Sequence, residues 1–311
     1  MTGAEAAASA RIHLMIDKWW PMIDTWWPWI LRVLWIILPF TAGPLFGDAL
    51  SDGTRAVQVT GTVGLWGLWA CGLLATAIPH TLTLTPIRIL APGGVAVAVW
   101  ATASDGLSGA ALIGLTSTAI AAAAAMAPVT AAGFVNGSAY GDERRLPLRP
   151  PVTMLLGPIP LAWAIAVAVL GVLPLAAAAQ RWVVTGLMAA ICVPLAVLSY
   201  RALHRLAGRW LVFVPAGLVV HDPIAVPDPV LFKRTAIRAF GPALATSTAT
   251  DLTMGASGLA LELRVRETVE ISYRQAPGAE PVTTELEAVL VAPSRPGAVL
   301  DEAKRRRITV A

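Results

Sequence analysis

A membrane bundle of about six transmembrane helices followed by a small, mostly-β cytoplasmic domain is the fold class this sequence predicts. Three observations carry it. Only 14% of the 311 residues are charged and 56% are hydrophobic, with a mean hydropathy of +0.68, whereas ordinary soluble domains carry about 25% charged residues. The charge is uneven: residues 1–200 hold nine Lys and Arg with eight Asp and Glu, and residues 201–311 hold fourteen and eleven. Long apolar runs give way after Arg209 to short alternating ones, the change of period that separates buried helices from half-wet strands. The chain divides into an N-terminal interfacial segment (1–28), a six-helix membrane domain (29–206) and a β-rich domain (207–311).

The first segment contains a repeat. Ile16-Asp17-Lys18-Trp19-Trp20-Pro21 is followed seven residues later by Ile23-Asp24-Thr25-Trp26-Trp27-Pro28, nearly two helical turns on, so the tryptophan pairs share one face. Tryptophan favours the headgroup layer, which makes Trp19, Trp20, Trp26 and Trp27 candidate interfacial anchors. A Trp-lined groove for a lipid or partner is the alternative. Residues 1–10 lack a basic region and no small-residue cleavage site follows, so no cleaved signal peptide is expected.

Six stretches reach the roughly 20 residues a crossing needs: near 29–47, 57–79, 84–103, 109–134, 152–178 and 182–202. Arg144, Arg145 and Arg149 lie between the fourth and fifth, and Arg201, Arg205 and Arg209 follow the sixth. The alternate loops hold only Arg55 and Arg181 beside Asp48, Asp52 and Asp105. The positive-inside rule then places both termini in the cytoplasm of a multi-pass plasma-membrane protein.

The densest charge cluster falls in the fourth loop, "NGSAYGDERRLPLRPP" (136–151). A solvated turn that sets orientation is one reading. A docking surface is the other: Gly137, Gly141, Pro147 and Pro150 shape a compact loop, and Asp142, Glu143, Arg144, Arg145 and Arg149 form a candidate interface to the C-terminal domain or to lipid headgroups.

Polar chemistry within the spans is sparse. Arg32, about one turn inside the first span, is placed to snorkel to the interface; a buried carboxylate partner is the alternative, yet no other span carries a deep Asp or Glu. The glycines of the second span and Ala121–Ala125 of the fourth suit close helix packing. Prolines such as Pro158, Pro160, Pro174 and Pro194 interrupt the later helices, a feature of some transport sites. The four histidines are scattered, Cys71 and Cys192 sit singly in apolar runs, and neither a metal-ligand spacing nor a nucleotide or hydrolase motif occurs. No catalytic, cofactor-binding or metal residues are expected, and no cofactor.

After Arg209 the expected strands are Trp210–Val214 and Gly217–Val220 about a Pro215-Ala216 turn, then Val230–Lys233, Ala236–Phe240, Leu259–Arg266, Thr268–Tyr273 and Thr284–Val291. A helix over Pro296–Arg307 ends in basic residues that suit its dipole. About seven strands and one helix make a small antiparallel barrel or sandwich. Lys233, Arg234 and Arg238, expected along one hairpin, complete the candidate interface, since cations near an anionic leaflet attract it.

The run "RWLVFVPAGLVVHDPIAVPDPVLFKRTAI" (209–237), placed directly after a last span and followed by strands and a terminal helix, resembles bacterial PH-like domains attached to membrane helices. With its "YGDERR" loop the chain as a whole is similar to actinobacterial polytopic membrane proteins of this layout. The resemblance implies a PH-like roll capped by a helix and a binding or assembly role, with no catalytic residues to carry over. The expected function is a non-enzymatic membrane anchor or scaffold whose cytoplasmic module serves protein assembly or lipid-surface binding. The expected partners are the lipid bilayer and a protein in the membrane or cytoplasm. Nucleic acid is not expected: the net charge is +4 and the basic run is confined to Lys304–Arg307. The alternative is a small transporter or channel component using the kinked fourth to sixth helices.

Overall fold

The computed structural model describes residues 25–311. Trp19 and Trp20, and with them the first half of the tryptophan repeat, lie outside the described residues.

Among the described residues six helices are long and apolar enough to cross a membrane. The first crossing, Thr25–Ser51, comprises α1 (residues 25–41) and α2 (Gly43–Ser51), which meet at a turn at Ala42. Then come α3 (Arg55–Ala77), α4 (Thr81–Asp105) and α5 (Gly109–Met126), continued by a short α6 (Pro128–Asn136). After strand β1 (Arg144–Pro147), a one-turn α7 (Val152–Leu156) leads to α8 (Pro158–Ala178) and α9 (Trp182–Ala207). Side-chain caps start three of them: Thr54 accepts from Val57 N, Ser108 from Ala111 N, and His80 from Leu82 N, with Thr83 accepting from His80 N in return.

Two spans are shorter than the hydropathy predicts. The fourth stops at Met126 because Pro128 has no N–H to continue the ladder, and α6 restarts there. The fifth begins at Pro158, since Gly157 (φ −144°, ψ −71°) breaks the chain from α7.

The bundle is apolar outside and small inside. Ala98, Ala101, Ala111, Ala121 and Ala125 are buried between helices, while Phe40, Val63, Val183 and Leu187 are exposed. That inversion is what a lipid-facing bundle requires, because small residues let backbones approach and hydrocarbon covers the rest.

The β domain holds two four-stranded sheets. The first runs β1–β2–β3–β4, all antiparallel, with β2 Trp210–Val214, β3 Gly217–His221 and β4 Val230–Lys233. The second runs β5–β7–β8–β6, with β5 Ile237–Pro242, β6 Thr250–Asp251, β7 Leu261–Arg274 and β8 Pro281–Val291. Both sheets and α10 (Pro296–Arg305) close on one core that includes Leu146, Phe213, Phe232, Phe240, Leu263 and Val299.

Three features depart from the strand pattern read from the sequence. The strands expected at 259–266 and 268–273 are one long β7, with a register irregularity between Arg264 and Val269 where the two were divided. The two-residue β6 pairs parallel to β8, so the second sheet is mixed. The first sheet takes its edge strand from residues 144–147, inside the membrane half of the sequence.

Candidate interface between the membrane helices and the β domain

The fourth loop folds as part of the β domain. Asn136, the last residue of α6, ties it down at the start: its amide donates to Ala132 O (2.7 Å) and to Arg145 O (2.6 Å), and its side-chain oxygen accepts from Arg145 N (2.9 Å). A Cβ on Gly137 would lie 1.9 Å from Pro79 O, so the loop leaves α6 pressed against the α3–α4 turn. Strand β1 then pairs with β2 from Arg144↔Phe213 to Pro147↔Trp210. Leu146 and Leu148 point into the domain core. On the far edge Arg149 N donates to Ala292 O (2.8 Å) and Ser294 N to Pro147 O (2.8 Å).

The loop's charges have partners on three elements. Arg306, just beyond α10, reaches Asp142 at 3.2 Å and also donates to Glu302 at 2.6 Å, and Glu302 accepts from Arg305 as well. Arg145 is paired with Glu143 at 2.9 Å, donates to Ser138 Oγ at 3.0 Å and lies over the Trp210 ring at 5.5 Å. Trp210 in turn stacks on His221 at 4.9 Å. Arg149 donates to Ser257 O at 2.8 Å. Asp142, Glu143, Arg145 and Arg149 are thus each bonded, in separate contacts.

Arg144 is different. It makes no hydrogen bond or ion pair to a described residue, and it lines a cavity of about 140 Å³ with Trp27, Pro28, Thr76 and Arg295. Trp27 fixes one wall by donating to Thr130 Oγ1 at 2.6 Å, whereas Trp26 is exposed. Lys233, Arg234 and Arg238 are exposed and unpaired among the described residues. They do not share a hairpin: β4 pairs with β3 and β5 with β7, so the three flank a crossing from one sheet to the other.

An ion pair buried on both sides lies at a position to which the sequence assigns no role beyond its positive charge. Arg209, in the two-residue link between α9 and β2, forms a bidentate pair with Asp222 (2.8 and 2.7 Å), with side chains 1% and 0% exposed. Its remaining nitrogen donates to Arg149 O at 2.6 Å. Asp222 also accepts from Ile224 N and Ala225 N. One guanidinium thereby joins the end of the last span, the end of β3 and the fourth loop. The signal was present: Trp210 pairs with His221, so Arg209 before the hairpin and Asp222 after it stand at the next register step.

Elsewhere in the domain, the Arg264 guanidinium, 2.5 Å from Glu262, holds that buried carboxyl below the usual carboxylate range. In the bundle, Trp35 and Trp69 each donate to the other's carbonyl (2.8 and 2.9 Å). Arg32 meets no carboxylate among the described residues. It donates to Thr76 O and Ala77 O at 3.0 and 3.3 Å, capping the C-terminus of α3, where a cation suits the free carbonyls and the dipole. A second cavity of about 220 Å³, between α1–α4 and α8, is lined mainly by apolar groups including Trp35, Phe46, Trp66, Val97 and Leu170. Among the described residues no group of three or more His, Cys, Asp or Glu is placed to hold a metal.

Compared with known proteins, the chain matches no family model, no curated protein and no solved structure.

Proposed function

We propose that the protein is a non-enzymatic membrane scaffold that holds a PH-like module rigidly against the cytoplasmic face for protein assembly or lipid-surface binding. The observation that carries this is the shared edge strand: a loop between two spans supplies β1, so the module is continuous with the bundle. The Arg209–Asp222 pair fastens the same joint from the other side. A freely tethered catalytic or regulatory domain has no use for such a weld, and a platform does. The seven strands after residue 209 and the helix that follows them support the PH-like reading. The positive residues on the β-domain side of the bundle support a cytoplasmic placement. The large cavity in the bundle is apolar, which favours a scaffold over the transport alternative, since a polar solute needs a lined aqueous path.

The test is purification of the full-length protein in mild detergent with mass spectrometry of what accompanies it. A stoichiometric protein partner is expected, and it is lost from the triple variant Lys233→Glu, Arg234→Glu, Arg238→Glu. A protein that stays free of partners and passes ions or solutes across liposomes overturns the proposal in favour of transport.

A further inference from the structure

Arg88 lies seven residues after Thr81 in α4, about 10 Å along the helix axis from its domain-side end. It makes no hydrogen bond and no ion pair among the described residues, and its Nε is closed off from solvent. The residue is half-buried, and a guanidinium at a membrane boundary without a partner is unfavourable. An opposite charge would offset that, and the described chain supplies none. The carboxylates in the helices packed on α4, Asp48 in α2 and Asp105 at the end of α4 itself, lie at the far end of the bundle. On the near side Asp142, Glu143 and Asp222 are taken by Arg306, Arg145 and Arg209.

The surroundings define what fits. Thr85 is three residues before Arg88 and shares its face of α4; its hydroxyl meets His204 Nδ1 of α9 at 3.0 Å. His204 stacks on Tyr200 one turn earlier. Arg201 and Arg205, on the same turns of α9, are exposed and unpaired among the described residues. Toward the membrane interior α9 exposes Val197, Leu198 and Ile191. Cationic and hydroxyl groups at the boundary above an apolar helix surface match an amphiphile with an anionic head.

We propose that Arg88, with His204 held in place by the buried Thr85, binds the phosphate group of an anionic phospholipid whose acyl chains lie along the exposed face of α9. Arginine suits this because its planar donors engage phosphate oxygens two at a time. The site stands apart from Lys233, Arg234 and Arg238 and does not depend on the assembly role.

Native mass spectrometry of the full-length protein titrated with phosphatidylglycerol or phosphatidylcholine tests it. The wild type is expected to retain phosphatidylglycerol in preference. Arg88→Gln lowers that retention about tenfold, the loss of one charge-assisted bond, while Arg88→Lys keeps most of it. Millimolar inorganic phosphate leaves the lipid in place. Equal retention of the two lipids by the wild type, or undiminished phosphatidylglycerol on Arg88→Gln, overturns the proposal. Displacement by inorganic phosphate also overturns it, by reassigning the site to the free ion. Should Arg88→Gln fail to insert, the titration is read on Thr85→Val, where weakened retention supports the site and unchanged retention overturns it.

Discussion

Arg209 and Asp222 face each other one step beyond the Trp210–His221 pair, joined by hydrogen bonds of 2.8 and 2.7 Å and sealed from solvent. Two charges are an unusual choice for a buried joint. Desolvation offsets most of their attraction, so the pair specifies geometry more than it adds stability. Here the geometry is the angle at which the β domain leaves the last span, because Arg209 also holds Arg149 O of the fourth loop.

Breaking that joint from one side should be severe. Arg209→Met leaves Asp222 buried and unpaired, which costs about 3–5 kcal/mol. Limited proteolysis is expected to release the region after residue 207 while the helices stay protected. The double variant Arg209→Met, Asp222→Leu should recover much of the loss. Equal protection of the single variant and the wild type would refute the role of the pair.

The fourth loop is held by its leucines more than by its arginines. Leu146 is 1% exposed in the domain core, and Leu146→Ala should destabilise by about 2–5 kcal/mol. Arg145 and Glu143 are partly exposed and Arg144 makes no ion pair, so Arg144→Ala with Arg145→Ala should cost only about 1 kcal/mol. Thermal unfolding of the purified variants ranks them. A larger effect of the arginine pair would mean that charge, not strand pairing, holds the loop.

Acid should loosen the second sheet through Glu262. The hydrogen bond from Arg264 holds its carboxyl below the ordinary value, against the opposing effect of burial. A depressed carboxylate contributes stability that is present above its unfolded pKa of about 4.3 and is lost as pH falls through the folded value. Glu262→Gln should therefore flatten the decline in stability below that pH. An unchanged acid limb in Glu262→Gln would assign the decline to other carboxylates.

Much of this architecture was legible in the sequence, and the reasons differ by element. The spans show because hydrocarbon demands long apolar runs, and the Trp210–His221 hairpin shows because its alternation is bounded by Pro215-Ala216. Strand β1 was hidden although Arg145-Leu146-Pro147-Leu148-Arg149 alternates cleanly. Pro147 and the surrounding charge argue for a turn, and only the partner strand 63 residues later, at Trp210, makes an edge strand of it. Position 209 carried two meanings at once. A basic residue after a span satisfies the positive-inside rule, and that sufficient explanation concealed its pairing with Asp222.

The β1–β2 pairing also fixes which loops share a side of the membrane, whatever that side is. Tyr140 is 86% exposed beside β1, and Asp105 ends α4 at the opposite end of the bundle. In a background with Cys71 and Cys192 replaced by Ser, Tyr140→Cys and Asp105→Cys should never react together with a membrane-impermeant maleimide. The distribution of arginine predicts that Asp105→Cys is labelled in intact cells and Tyr140→Cys only after lysis. Labelling of both from outside would break the single crossing between them, which is α5 continued by α6. Since α5 has 18 residues and leads directly into α6, its reach across about 30 Å of hydrocarbon depends on α6 adding to it. Labelling of Tyr140→Cys alone from outside would instead invert the whole protein and place the β domain outside the cell.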